Sequence, residues 1–337
     1  MKNGKACAVQ NPGGFVISLD FELHWGVRDH RSVDQYRENL LGVRQAVPAI
    51  LELFERYGIH ATWATVGFLF FTSLDELKTS LPDELPLYRE ASLDPYAALF
   101  EVGENEEDDP FHFAPSLIRG ILVCPGQEVA THTLSHFYAL APGPTLESFR
   151  ADLRSAKLAA SQYGITLKSI VFPRNQISRQ HLRICAEEGL IAYRGTEADP
   201  WIERGNGITG RAMRFADSYL GLSGDGCATP CLDEEYPIVS VSGSRFLRPW
   251  NAKLKALEDL RLRRICAPMD AAAKSNKTFH LWWHPHNFGV HLAENIAILT
   301  RIAEHYAYLR RETGWSSLTM AEVAENVLRA EKPHCMA

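Results

Sequence analysis

The sequence lacks the features of several large functional classes. Its 337 residues carry 35 Lys and Arg against 41 Asp and Glu, which gives a formal charge of -6. A protein that binds nucleic acid needs a basic surface, so we expect no nucleic-acid partner. No apolar run approaches the roughly 18 residues of a transmembrane helix, so we expect no membrane span. No Gly-rich loop joins a predicted strand to a helix, which argues against a nucleotide cofactor.

Cysteine patterns and an export signal are also missing. The seven cysteines include no Cys-x-x-Cys pair, and the closest two are Cys227 and Cys231. An odd number without such pairs fits a reducing compartment better than a disulfide framework. Residues 1–14 include two lysines but no apolar stretch typical of a secretory signal. We therefore expect a cytoplasmic protein.

Apolar strand-like runs alternate with helix-like runs along most of the chain. This alternation favours a parallel sheet with crossover helices, and at this length a (β/α) barrel. The predicted strands are 15–20, 61–67, 128–131, 168–172, 191–194 and 279–283. The predicted helices are 36–57, 146–163, 179–188 and 292–311.

Two segments interrupt the alternation. Residues 72–127 are rich in proline and acidic side chains, and we interpret them as a long insertion after the second strand. Residues 201–249 are rich in Gly and Ser without clear periodicity, and we expect irregular loops there. The whole chain, 1–337, is predicted to form a single domain.

Two acidic residues, Asp20 and Glu22, close the first predicted strand. Carboxylates two apart on a strand share one face. Two like charges this close are costly unless a cation or a functional need holds them there. An ordinary strand end with solvated acids is the simpler alternative.

His132 and His136 directly follow the predicted strand 128–131. A spacing of four puts both imidazoles on one side of a helical turn, where they can share a cation. Joined to Glu22 or Asp20, they give the two nitrogens and one carboxylate of a catalytic zinc site. A single histidine is more often a hydrogen-bonded structural residue, so the pair is the informative feature.

His284 and Arg174 also lie just beyond predicted strands. In a barrel, side chains at the carboxyl ends of different strands converge on one mouth. The alternative for His284 and nearby His286 is a strand end capped by ring N–H groups. Arg174 is either a structural cap or a partner for an active-site carboxylate.

Four motifs occur in the following order along the chain: Ser-Leu-Asp-Phe-Glu at 18–22, Ala-Thr-Trp-Ala-Thr-Val-Gly at 61–67, His-Thr-Leu-Ser-His at 132–136 and Leu-Trp-Trp-His at 281–284. In this order they resemble the polysaccharide deacetylase family, the NodB-homology carbohydrate esterases. The resemblance covers most of the chain. It implies a distorted (β/α) barrel and a metal-dependent N-deacetylase.

Site roles follow from the resemblance residue by residue. It implies a divalent cation, with Zn2+ the default. The implied metal ligands are Glu22, His132 and His136, and the implied catalytic residues are Asp20 as base, His284 as acid and Arg174 as the contact to the base. Two departures are visible: Glu22 stands where the family usually has Asp, and Phe-Pro-Arg-Asn at 172–175 reorders the usual Arg-Pro-Pro-Tyr.

The expected substrate is an N-acetylated amino sugar, nucleotide- or lipid-linked, in glycan or surface-polysaccharide assembly such as O-antigen or capsule. Trp25, Trp282 and Trp283 flank the motifs and offer faces to a sugar ring, although at least one is expected in the core. Two alternatives stay open: an amide or formyl hydrolase acting on a non-sugar substrate, and a non-catalytic sugar-binding barrel that keeps its metal. The sequence does not indicate an oligomeric state.

Overall fold

The computed structural model describes residues 13–196, 224 and 226–331. Within these residues ten strands form one sheet. The strands are β1 (Gly14–Phe21), β2 (Ala61–Thr65), β3 (Gln127–Thr131), β4 (Ser169–Ile170), β5 (Ala192–Tyr193), β6 (Cys231–Leu232), β7 (Val239–Ser240), β8 (Arg245–Phe246), β9 (Phe279–Trp283) and β10 (Ser316–Leu318). The helices are α1 (Val33–Tyr57), α2 (Leu74–Thr79), α3 (Pro115–Val123), α4 (Leu146–Ser161), α5 (Arg179–Glu187), α6 (Glu258–Ser275), α7 (Leu292–Thr313) and α8 (Met320–Glu331).

The sheet is parallel except at one edge. Its strand order is β6-β7-β5-β4-β3-β2-β1-β9-β8, and β10 also pairs with β1. Among the described strands, β6 alone runs antiparallel to its neighbour. β7 and β8 belong to one segment, 239–247, which bonds β5 at its start and β9 at its end. This segment joins the two ends of the sheet, so the predicted distorted (β/α) barrel is confirmed.

The segment 201–249 differs from the expected irregular loops. Its described part contains β6, β7 and β8, which are integral to the barrel although each is two residues long. Strands this short show no alternation of apolar and polar residues, so sequence reasoning missed them. Residues 201–223 and 225 lie outside the described residues. The single-domain assignment of 1–337 stays a prediction.

Helix α1 begins three residues before its predicted start because a capping box fixes its N-terminus. The Ser32 hydroxyl accepts the Gln35 N–H, and the Gln35 side chain accepts the Ser32 N–H. Gly58 ends the helix at φ 60°, a left-handed conformation that glycine adopts without a steric penalty. The apolar residues at three- and four-residue spacing are buried against the barrel: Leu40, Val43, Val47, Ile50 and Phe54.

The segment predicted as an insertion contains α2, α3 and two short 3-10 helices. It lies against the loops that follow β1 and β3. The Tyr88 hydroxyl accepts the Tyr138 N–H at 3.0 Å, and the Arg28 guanidinium donates to backbone carbonyls of the insertion. The acidic residues within 101–109 are exposed or half-buried, except for Asp109, which is buried.

Candidate metal centre

The two carboxylates of the first motif lie at the carboxyl end of β1. Asp20 and Glu22 are 3% and 4% exposed. Glu22 is the first residue beyond the strand, and a 3-10 turn, Leu23–Gly26, follows it. A Cβ at Gly26 would lie 1.9 Å from the Glu22 carboxyl carbon, so glycine is needed to leave room for this side chain.

The loop after β3 brings His132 and His136 together without a helical turn. Thr133 and His136 have φ of 65° and 59°, which no α-helical turn contains. The predicted helical turn is therefore wrong, although the predicted proximity of the two imidazoles is observed. Their ring centroids lie 5.1 Å apart.

Glu22, His132 and His136 offer three donor atoms to one point. The Nε2 atoms of His132 and His136 lie 3.3 and 3.2 Å from Glu22 Oε2. Donor atoms in a tetrahedral site with bonds of about 2.0–2.2 Å lie about 3.4 Å apart, so the spacing fits a divalent cation. His132 Nδ1 is 2.8 Å from the Val171 carbonyl oxygen. The proton therefore resides on Nδ1, and the Nε2 lone pair faces Glu22.

Asp20 is held by an arginine that sequence reasoning did not select. Arg194 Nη1 and Nη2 donate to the two Asp20 oxygens at 2.6 and 2.8 Å. The guanidinium also donates to Ser18 Oγ at 3.1 Å and lies 4.2 Å from the Trp282 ring centroid. Burial alone would raise the pKa of Asp20, but Arg194 and the nearby imidazoles hold it below its ordinary value.

Arg174 occupies a different place from the one predicted. Its guanidinium forms an ion pair with Asp29 and lies 4.6 Å from the Tyr138 ring centroid. The contact to Asp20 predicted for Arg174 is made by Arg194 instead, which directly follows β5 at the mouth of the barrel. Arg174 and Asn175 both have positive φ, which turns the Arg174 side chain toward Asp29.

His284 reaches both carboxylates from the end of β9. Its Nε2 lies 3.7 Å from Asp20 Oδ2 and 3.6 Å from Glu22 Oε1. The side chain is 24% exposed, so it faces the mouth of the barrel. His286 stacks on it at 5.0 Å but is buried. Burial and the neighbouring His284 lower the pKa of His286 to about 3, so His286 is neutral at physiological pH.

The three tryptophans near the motifs divide into two groups. Trp25 and Trp283 are completely buried and belong to the hydrophobic core. Trp282 is half-buried and packs against Phe246 and His284 at the mouth. Of the three predicted sugar-binding faces, Trp282 alone therefore remains accessible.

The fold is shared with proteins of known structure. No protein-family model matches the sequence, and no curated protein matches it. A protein of Mycobacterium smegmatis assigned as a polysaccharide deacetylase superposes with a TM-score of 0.59 at 14% identity, covering 95% of this chain and 92% of its own. A probable polysaccharide deacetylase of Pseudomonas aeruginosa PAO1 gives 0.57 at 13% identity, over 94% and 90%.

A third similar structure is the Puue allantoinase, with a TM-score of 0.55 at 13% identity over 93% of this chain and 88% of the allantoinase. These similarities establish the polysaccharide-deacetylase type of barrel and leave the reaction to be argued from the site. Within the described part of the chain, no helix is long and apolar enough to span a membrane.

Proposed function

We propose that this protein is a metal-dependent hydrolase that removes an N-acetyl group, or a related acyl group, from an amino sugar. The observation that carries the proposal is the convergence of Glu22, His132 and His136 on one point, with Asp20 and His284 beside them. The barrel shared with two polysaccharide deacetylases supports the same reaction.

Glu22, His132 and His136 would hold the cation, and their donor set favours zinc. A bound zinc ion supplies Lewis-acid polarisation of the acyl oxygen and lowers the pKa of a water molecule. Two nitrogens and one carboxylate leave a coordination position open, as catalytic zinc sites require. All three side chains are buried, so competing solvent ligands are few.

Asp20 is proposed to accept a proton from the attacking water. As the water oxygen bonds to the acyl carbon, its proton passes to the carboxylate. Arg194 fixes the orientation of Asp20 through two hydrogen bonds and keeps it ionised. The base is then ready before substrate binds.

His284 is proposed to protonate the departing amine. Breaking the C–N bond without this proton would expel an amide anion, which is a very poor leaving group. His284 suits the step because an imidazole can carry and donate a proton and because its side chain is open to the mouth. The products are acetate and the free amino sugar.

The substrate is proposed to be a carbohydrate from glycan or surface-polysaccharide assembly, with the amino sugar carried on a nucleotide or a lipid. Trp282, half-buried beside His284, offers a face for a sugar ring. The allantoinase likeness keeps a non-sugar amide as the second candidate.

Acetate release from a panel of N-acetylated amino sugars, free and linked to nucleotides or lipids, tests the proposal. Wild-type protein should contain about one zinc per chain and release acetate from at least one sugar. The double variant His132→Ala, His136→Ala should lose both properties, as measured by elemental analysis and acetate assay. Full metal retention in that variant would place the metal elsewhere, and turnover of allantoin alone would favour the second candidate.

A further inference from the structure

Asp152 is a buried carboxylate that the proposed reaction does not use. It lies on α4 with no exposed surface, on the side of the helix that faces the loop after β3. In the described part of the chain, no ion pair to Asp152 is found, so hydrogen bonds alone compensate its charge. A buried carboxylate without a cation is costly to maintain, which suggests a specific purpose.

The hydrogen bonds of Asp152 go to the loop between the two histidines. Oδ1 accepts the Leu134 N–H at 2.7 Å, and Oδ2 accepts the Ser135 N–H at 3.2 Å. The Ser135 hydroxyl also donates to Oδ2, and the Tyr96 hydroxyl lies 3.4 Å from it. Both carboxylate oxygens therefore hold the two residues at the centre of this loop.

The loop needs such support because its backbone is unusual. Positive φ at Thr133 and His136 is unfavourable for residues with a Cβ. Neighbouring amides find local acceptors: the Thr133 N–H donates to Thr131 Oγ1, and the Phe137 N–H to Thr133 Oγ1. The amides of Leu134 and Ser135 depend on Asp152.

We propose that Asp152 is a positioning residue, which holds the 132–136 loop in the conformation that directs both histidine Nε2 atoms to one cation. The inference rests on the metal site proposed above and extends it to a residue that touches neither metal nor substrate. Tyr96 connects the same carboxylate to the insertion between β2 and β3.

The ionised form of Asp152 is the one that fits its backbone hydrogen-bond partners. Burial raises the pKa of Asp152 to about 6, although its hydrogen-bond donors oppose the rise. At neutral pH the charge therefore lowers the stability of the folded protein. The carboxylate nevertheless supplies one acceptor oxygen to each of two backbone N–H groups, whereas the protonated form turns one of these oxygens into a hydroxyl donor.

The variant Asp152→Asn keeps the shape and removes one acceptor. Its amide nitrogen must face either the Leu134 or the Ser135 N–H, and two donors repel each other. We expect zinc affinity to fall by about tenfold or more, the usual scale for residues that orient metal ligands. The metal-free protein should keep its fold, as measured by its melting temperature at pH 7, because removal of the buried charge offsets the donor–donor repulsion.

The matched control is Ser135→Ala, which deletes one hydroxyl donor and leaves both amides on Asp152. Zinc affinity, measured by competition with a chromogenic chelator, should stay close to that of wild type in this control. An unchanged zinc affinity in Asp152→Asn would overturn the proposal, as would equal losses in both variants. If Asp152→Asn does not fold, Asp152→Ser, which leaves room for a bridging water, undergoes the same comparison.

Zinc affinity does not depend on the reaction, so the two proposals fail separately. A wild-type chain that binds zinc but releases no acetate would contradict the proposed function alone. A wild-type chain that binds no divalent cation would overturn the role of Asp152 as well.

Discussion

Asp20 and Glu22 are two residues apart at the end of the same strand, and both are buried, yet their charges are compensated in different ways. A guanidinium binds both oxygens of Asp20. Within the described part of the chain no guanidinium binds Glu22, and imidazoles surround it, from His132, His136 and His284. Burial would raise the pKa of Glu22, but these imidazoles, in their protonated form, hold it well below its ordinary value.

The difference assigns a role to each carboxylate. Arginine is permanently charged, so Asp20 has its counter-ion at every physiological pH. An imidazole is positive only when protonated, and its neutral form offers a lone pair to a metal. Glu22 is therefore in the environment of a metal ligand, whereas Asp20 is in the environment of a group that must stay ionised and oriented.

Replacing each carboxylate with its neutral amide should separate the effect on turnover from the effect on metal binding. These are the largest effects that we expect among the predictions. Asp20→Asn should reduce turnover by about a hundredfold to ten-thousandfold, the range for a removed general base, and retain the metal. Glu22→Gln should lose most of the metal and the activity with it. Acetate release and elemental analysis on both variants test the division. Wild-type activity in Asp20→Asn would mean that Asp20 is structural.

The two arginines near the mouth should differ in their effect on stability. Arg194→Met leaves a buried, unpaired carboxylate at Asp20, and we expect a loss of about 3–5 kcal/mol in the free energy of unfolding. Arg174→Met breaks an ion pair that is half-exposed on the arginine side, and should cost less than about 1 kcal/mol. Urea denaturation measures both.

Equal losses in the two variants would contradict the contrast between a buried and a surface ion pair. A large loss of activity confined to Arg174→Met would instead restore the catalytic role that the sequence indicated for Arg174.

The contact between Arg194 and Asp20 was not predicted from the sequence. The sequence predicts the strand 191–194, so the position of Arg194 at the carboxyl end of a strand is also predictable. Arg194 was missed because the family pattern places the arginine that contacts the base in the earlier loop, 172–175. Its contact with Asp20 also depends on barrel closure by 239–247, whose two-residue strands carry no periodic signal.

The grouping of the proposed metal ligands is predictable from the sequence, but the backbone conformation of their loop is not. Three residues that follow two predicted strands, Glu22, His132 and His136, could be brought together from the sequence alone. Positive φ at two residues of the loop has no signature in the sequence 132–136, which contains no glycine. Asp152 did leave a signal: it lies three residues after Phe149, beside Leu153, on the buried face of a predicted helix.

The last comparison concerns His284 and His286, which differ in exposure although they stack on each other. His284→Ala should reduce kcat by about a hundredfold, the usual scale for a removed general acid, and change KM less. The reason is that proton transfer to the amine is needed chiefly in the transition state. Steady-state kinetics with an N-acetyl sugar measure the two constants.

His286→Ala is the matched control, since it removes a second imidazole two residues away from the same turn. His286 is 4% exposed, packs against Tyr36 and is neutral at physiological pH, so it lacks both the proton and the access that an acid requires. Its loss should affect kcat only through the stacking that it provides to His284. If His286→Ala proves the slower variant, then His286 is the acid and His284, lying between the two carboxylates, has the supporting role.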